Sequence, residues 1–365
     1  MRIVPLMLMS IVLGSAACTE TASHGATLIT DRITSAPGDY SAVTWLPNGW
    51  LVVQYRPEPG GSMLDEQIWK MRPDGSDLQR LALPDDPLCR HTTYLYPRAL
   101  PDGRLGLVKE CGVYRLRADI EHSYLVAYDT ERGILSRLMA TDLGGSDATW
   151  SPHMDRGMLG MSSSICGGIA WITSMGIELT DTKVTDGGTT FLLDQQIRDD
   201  YEGSRPGGTY KSSCSRNGRA ENPAWSPDGS RIAFLADASA IGSDGFDRLD
   251  HPWKLYVMDP NTRHSVQVMG GLGDPCGPTW SPDSKWVMVC ARWGSAGTRA
   301  VNVRTHQQVR LRLDGGAFAP SAWSPDGRQV ATILPNDPRE DISTQLEHQL
   351  VVTVDLPRIL WPATK

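Results

Sequence analysis

Trp225-Ser226-Pro227-Asp228-Gly229 and Trp323-Ser324-Pro325-Asp326-Gly327 spell one phrase twice, and four altered copies stand elsewhere in the chain. Trp280-Ser281-Pro282-Asp283-Ser284 ends on Ser instead of Gly. Trp45-Leu46-Pro47-Asn48-Gly49 has Leu and Asn in the second and fourth places. Leu100-Pro101-Asp102-Gly103 has lost the Trp-Ser pair, and Trp150-Ser151-Pro152-His153 runs on into Met154-Asp155-Arg156-Gly157. The phrase has the chemistry of a tight turn. Pro presets φ at the second turn position, Ser suits the first, and Asp and Gly suit the third and fourth. A short apolar run follows each complete copy, Ile232-Ala233-Phe234-Leu235 and Val330-Ala331-Thr332-Ile333, which is the pattern of a core strand. The Trp ends the strand before the turn and is large enough to wedge between neighbouring units. One such turn is a hairpin, whereas six in one chain are a repeat architecture.

Between the phrases a second hairpin recurs. Gln67-Ile68-Trp69-Lys70-Met71 turns at Arg72-Pro73-Asp74-Gly75, and Lys254-Leu255-Tyr256-Val257-Met258 turns at Asp259-Pro260-Asn261-Thr262. Each unit therefore reads as four strands. The last unit ends at Gln349–Val354 without a fourth strand, and the alternating stretch 28–34 has no hairpin partner of its own. Pairing the two closes a ring and removes an open sheet edge. The third unit is the least regular, with strands expected over 168–173 and 189–193, then a polar loop over 195–219. A second insertion covers 237–251. The fold expected is all-β: a six-bladed propeller of four-stranded antiparallel blades, closed by an N-terminal strand.

Composition agrees. The chain has 365 residues, 40% of them hydrophobic, with 36 Gly and 25 Pro, enough apolar surface for a large core and enough turn formers for many hairpins. A net charge of −7, without a Lys/Arg cluster, excludes a nucleic-acid surface.

The first residues read as an export signal over 1–17. Arg2 precedes the uncharged apolar run 3–13, which is too short to span a bilayer. Gly14-Ser15-Ala16-Ala17 then leads to Cys18. This resembles a bacterial lipobox, in which the Cys carries lipid, although Ser15 stands where Leu is usual, and plain cleavage after Ala17 stays open. Residues 18–27 form a tether and 28–365 the propeller. Setting Cys18 aside leaves Cys89, Cys111, Cys166, Cys214, Cys276 and Cys290, an even set that reads as three disulfides in an exported chain. Sequential pairing keeps each bridge local. The protein is expected in the periplasm or on the cell surface, with soluble secretion as the alternative.

Repeated Trp-Ser-Pro-Asp-Gly, each with its apolar strand, and a Leu-Tyr-Val-Met-Asp strand at 255–259 resemble the TolB-like propellers with their WD-like, Pro-Asp repeat. The resemblance covers about 28–356 and implies the fold. It implies little about the ligand, because the motif is structural. About nine residues separate Cys18 from the first strand, so the N-terminal α/β domain of TolB is not expected, and a role in the Tol system does not carry over.

Catalytic signatures are missing from the sequence. It contains no Gly-x-Ser-x-Gly elbow, no His-Glu-x-x-His, no P-loop and no Cys-x-x-Cys. No catalytic residue, metal or cofactor is assigned. The strand ending in Trp is innermost, so the residues before it line the central channel. Its polar members include Arg98, Asp147, Asn222 and Ser321. These either bind a ligand or satisfy one another with ordered water. The expected protein is a monomeric, non-enzymatic binding module for an envelope protein, peptide or glycan, held to the membrane through Cys18. The alternative is a polysaccharide lyase or hydrolase that works at the channel mouth.

Overall fold

The computed structural model describes residues 30–362 except 33–37, 58–64, 116–117, 139–146, 163–166, 174–175, 180, 186–187, 193–218, 238–252, 263, 274, 291–296, 312, 314–316, 318, 340–344 and 346–348. The chain opens with β1 (Thr30–Arg32). Five sheets then follow, each made of four consecutive antiparallel strands. The first holds β2 (Asp39–Trp45), β3 (Leu51–Arg56), β4 (Gln67–Met71) and β5 (Gln79–Arg80). The second holds β6 (Thr92–Ala99), β7 (Leu105–Arg115), β8 (Ala118–Asp129) and β9 (Ile134–Arg137). The third holds β10 (Asp147–Trp150), β11 (Gly157–Ser162), β12 (Gly167–Thr173) and β13 (Gly176–Leu179). A separate hairpin of β14 (Asp181–Thr185) and β15 (Gly188–Leu192) comes next. The fourth sheet holds β16 (Arg219–Trp225), β17 (Ile232–Asp237), β18 (Trp253–Met258) and β19 (Ser265–Leu272). The fifth holds β20 (Thr279–Trp280), β21 (Trp286–Val289), β22 (Thr298–Asn302) and β23 (Gln308–Leu311).

The remaining strands, β24 (Ala322–Trp323), β25 (Gln329–Pro335) and β26 (Gln349–Asp355), form a composite sheet with β1 on its outer edge. Thr30, Asp31 and Arg32 face Val354, Thr353 and Val352. The count of blades built alike is therefore five, against the six expected from the phrases, because the sixth phrase belongs to this composite sheet. The fold is an all-β propeller of four-stranded antiparallel blades.

The phrases are the turns between the first and second strand of each sheet. In all six copies the fourth residue of the turn donates its N–H to the carbonyl of the first at 2.9 Å, from Gly49, Gly103, Met154, Gly229, Ser284 and Gly327. All six donors have positive φ, between 58° and 86°, which explains Gly in four of them. Ser adds a second device. The hydroxyl of Ser226 donates to Asp228 at 2.7 Å and accepts the N–H of Arg231 at 3.0 Å, and Ser281 and Ser324 repeat the pair.

The Trp side chains act as the expected wedges. Trp280 packs in a buried cluster with Ala224, Ala233, Leu235 and Leu255 of the preceding blade. Trp323 packs in a buried cluster with Cys276, which precedes β20, and with Trp286 and Met288 of β21. Trp45, on the first blade, packs against Ala331, Ile333 and Val351 of the composite sheet. The core therefore lies between blades, and β26 is buried along nearly its whole length.

Cys89–Cys111 and Cys276–Cys290 are disulfides with Cα–Cα distances of 5.1 Å each. Cys166 and Cys214, the third expected pair, lie outside the described residues, as do Cys18, the signal segment and both long insertions apart from Arg219 and Asp237, which belong to β16 and β17. Among the described residues, no helix is long and apolar enough to cross a membrane.

Candidate ligand cavity

β2, β6, β10, β16, β20 and β24 each stand at one edge of their sheet. Residues on or just before all six line one central cavity of about 650 Å³. That lies within the usual range of ligand pockets, about 300–1,000 Å³. One end is formed by the phrase turns, where Pro47, Pro101, Pro152, Pro227, Pro282 and Pro325 all contribute. β3, β7 and β17 end, and β4, β8 and β18 begin, toward the opposite face, because successive strands alternate in direction.

Taking the Trp place of each phrase as a reference aligns the walls. It is filled by Trp45, Ala99, Trp150, Trp225, Trp280 and Trp323. The residue before it is Thr44, Arg98, Thr149, Ala224, Thr279 or Ala322. Two of these Thr residues stitch blades together: Thr44 Oγ1 accepts the N–H of Ala99 at 3.1 Å, and Thr149 Oγ1 accepts that of Trp225 at 2.9 Å. From the fourth blade to the fifth the tie is reversed, and Trp280 Nε1 donates to the carbonyl of Ala224 at 2.8 Å.

Three residues before the Trp place stand Ala42, Tyr96, Asp147, Asn222, Gly277 and Pro320. Tyr96 and Asn222 both have left-handed φ, 54° and 53°, and both sit in bulges where the inner strand slips against its neighbour. Asn tolerates this conformation, whereas for Tyr it costs about 1–2 kcal/mol. The strain is held from behind. Gln54 of β3 is 2% exposed and accepts the Tyr96 N–H on Oε1 at 2.6 Å. Tyr96 itself is 39% exposed and lines the cavity. Asn222 lies over Gly277, where a Cβ would meet its side chain at 3.2 Å.

The four residues named from sequence are distributed as follows. Arg98 and Asn222 line the cavity, Arg98 in the layer before the Trp place and Asn222 in the layer of Tyr96. Arg98 is the only charged residue among the described lining residues. Ser321 also lines the cavity, but it is 2% exposed and its hydroxyl donates to Thr332 Oγ1 at 3.0 Å, inside its own sheet. Asp147 begins β10 opposite Gly160, and its side chain lies outside the described residues. Sequence reasoning missed Tyr96, although a signal was available. Pro97, Pro223 and Pro278 each stand two residues before the Trp place and Pro320 stands three. Proline within a strand marks an edge or a bulge.

Behind the first blade's wall lies a charged cluster. Arg56 binds Asp39 and Glu66 at 2.7 Å each. Burial pushes the Glu66 carboxyl above its ordinary value, and the neighbouring Asp39 adds to this. The Arg56 guanidinium and a hydrogen bond with Ser41 offset it only in part. Ser41 itself lines the cavity. Among the described residues, no group of three His, Cys, Asp or Glu side chains converges as a metal site would.

Fold and cavity together define a β-propeller with a central cavity. No family model and no curated protein matches the chain. Solved propellers do. A putative TolB from Agrobacterium tumefaciens superposes with a TM-score of 0.51 at 13% identity, over 91% of this chain and 100% of that one. TolB from Acinetobacter baumannii gives 0.47 at 14% identity over 88% of this chain, which spans 65% of that protein. An oligogalacturonate lyase from Vibrio parahaemolyticus gives 0.47 at 10% identity, over 92% and 98%. At these identities the likeness is one of fold: a TolB-like propeller.

Proposed function

We propose that this chain is a cell-envelope binding module: a six-bladed propeller, with β1 completing the sixth blade, that takes a protein, peptide or glycan into its central cavity without chemistry. The observation that carries this reading is the cavity itself, walled by the inner strand of every four-stranded sheet. Ring closure is supported by the pairing of β1 with β26 and by the packing of Trp45 on the composite sheet. Export is supported by the signal-like N-terminus and by two disulfides, which persist in oxidising compartments. Lipid on Cys18 would hold the module to a membrane through the tether 18–27.

Pull-down from envelope extracts tests the binding role. Alanine at Arg98 and Asp147, and glycine at Asn222, whose left-handed backbone alanine would strain, should weaken capture of the partner and leave the melting temperature unchanged. Capture that ignores all three substitutions refutes it. Fatty-acid labelling tests the anchor, and label retained by Cys18→Ala rules it out.

A second reading, an enzyme acting on polysaccharide, draws on one observation. Glu66 is a buried carboxylate with a raised proton affinity, one hydroxyl away from the cavity wall. Such groups serve as general acids or bases. Turnover of uronate polysaccharides to an unsaturated, absorbing product, lost in Glu66→Gln, would favour this reading over the first.

A further inference from the structure

Residues 81–91 join β5 to β6 and reach β6 at the end away from its phrase turn. The connection starts by packing Leu81 and Leu83 on the blade. From Pro84 onward it is held by bonds instead. The Tyr94 hydroxyl donates to the Pro84 carbonyl at 2.7 Å. Asp86 is the hub. Its N–H donates to Thr92 Oγ1 at 3.1 Å, and its carbonyl accepts the Cys89 N–H at 2.9 Å. Its carboxylate accepts the Leu88 N–H at 3.0 Å and pairs with Lys109. Cys89 is tied to Cys111 of β7, and the Arg90 N–H donates to the Gly112 carbonyl at 2.7 Å.

Among the described residues, Leu88 is the most exposed large apolar side chain, at 85%. A single exposed Leu on a loose loop is ordinary surface. This loop is braced on both sides of Leu88. Fixing its backbone costs conformational entropy, and no burial of Leu88 offsets that cost. The bracing does supply a pre-ordered contact, which lowers the ordering cost of association. Charge narrows the partner. Among the described residues Asp85 is exposed without an ion pair, Asp86 is paired with Lys109, and Arg90 is already engaged. The uncompensated charge near Leu88 is therefore negative. An anionic lipid surface attracts Lys and Arg and would repel it. A second copy seated isologously would set the same carboxylate against itself. A protein with an apolar pocket bordered by Lys or Arg complements both the side chain and the charge.

We infer that the loop 84–90 is a protein-docking anchor: Leu88 enters an apolar pocket of a partner protein, and Asp85 faces a basic residue at the pocket's border. None of these loop residues lines the central cavity, so this surface stands or falls apart from the cavity. The experiment places a photoreactive phenylalanine at position 88 of the full chain. The control position is Ile359, 49% exposed and beyond the end of β26. Irradiation of intact envelopes should give a protein adduct from position 88 and not from the control. The protein so identified, once purified, should bind the wild type in a titration, more weakly as salt rises. Leu88→Ser and Asp85→Lys should each weaken that binding at least about tenfold with no fall in melting temperature.

A position-88 adduct with lipid or with a second copy of this chain overturns the inference, and so does the lack of any adduct. Equal binding of the purified protein to the wild type and to Leu88→Ser overturns it as well. Binding lost in Leu88→Ser but unchanged in Asp85→Lys would support the pocket and refute its basic border.

Discussion

At the third place of its turn, Asp228 accepts hydrogen bonds from the Ser226 hydroxyl at 2.7 Å and from the backbone and side chain of Ser230 at 3.0 and 2.8 Å. Partial burial raises its pKa, but these bonds outweigh burial and hold the carboxyl below its ordinary value of 3.8. A depressed carboxyl contributes stability above the unfolded pKa, and that contribution is lost as pH falls through the folded value. Asp228→Ala should cost about 1 kcal/mol in denaturant unfolding at neutral pH, and Asp228→Asn less, because the amide oxygen still accepts. Equal losses would mean that the charge, and not the acceptor, matters. Glu66 has the opposite sign. Its raised pKa means that the folded state binds the proton more tightly, so its contribution to stability falls as pH rises above 4.5. Melting curves across pH should therefore shift in favour of Glu66→Gln relative to the wild type from pH 4.5 towards neutrality. A shift the other way would show that the ion pair with Arg56 outweighs burial.

The blades themselves were largely legible in the sequence, because turn chemistry is local. Each phrase specifies a turn from its own residues, and each gives the same 2.9 Å bond whatever has replaced its Ser or Asp. Leu46 is fully buried, in a cluster shared with Tyr94 and Leu105 of the next blade. The altered phrase therefore gives up a hydroxyl and gains interface packing. The cavity wall was less legible. Counting back from Trp assumes unbroken alternation, but the bulges at Tyr96 and Asn222 break it. The count therefore reached Arg98 and Asn222, passed over Tyr96, and included Ser321, whose hydroxyl bonds within its own sheet. One prediction belongs at this scale. Cys276 and Cys290 are 14 residues apart and clip the entry of the fifth blade's inner strand to the end of β21. A loop of that length implies about 3 kcal/mol. Replacing both by Ser should lower the midpoint of urea unfolding accordingly, whereas an unchanged midpoint would show that the neighbouring packing holds the strand alone.

For the whole molecule, the critical junction is where β1 lies along β26. β26 is a buried, largely apolar strand, and without β1 its outer edge offers free N–H and C=O groups to any other chain. Deleting residues 28–32 should therefore lower the melting temperature and also produce concentration-dependent association visible by light scattering. A truncated chain that stays monomeric and fully stable would show that β1 does not protect the edge.

The tail reaches the same blade from the other side, because Pro362 sits so close to Gly327 that a Cβ there would meet it at 2.6 Å. Both ends of the described chain thus lie on the sheet that holds the last phrase. Circular permutation is the expected consequence. If the region after residue 362 were joined to Thr30 and the chain were opened between Arg32 and Gly38, every four-stranded sheet would be made of consecutive strands.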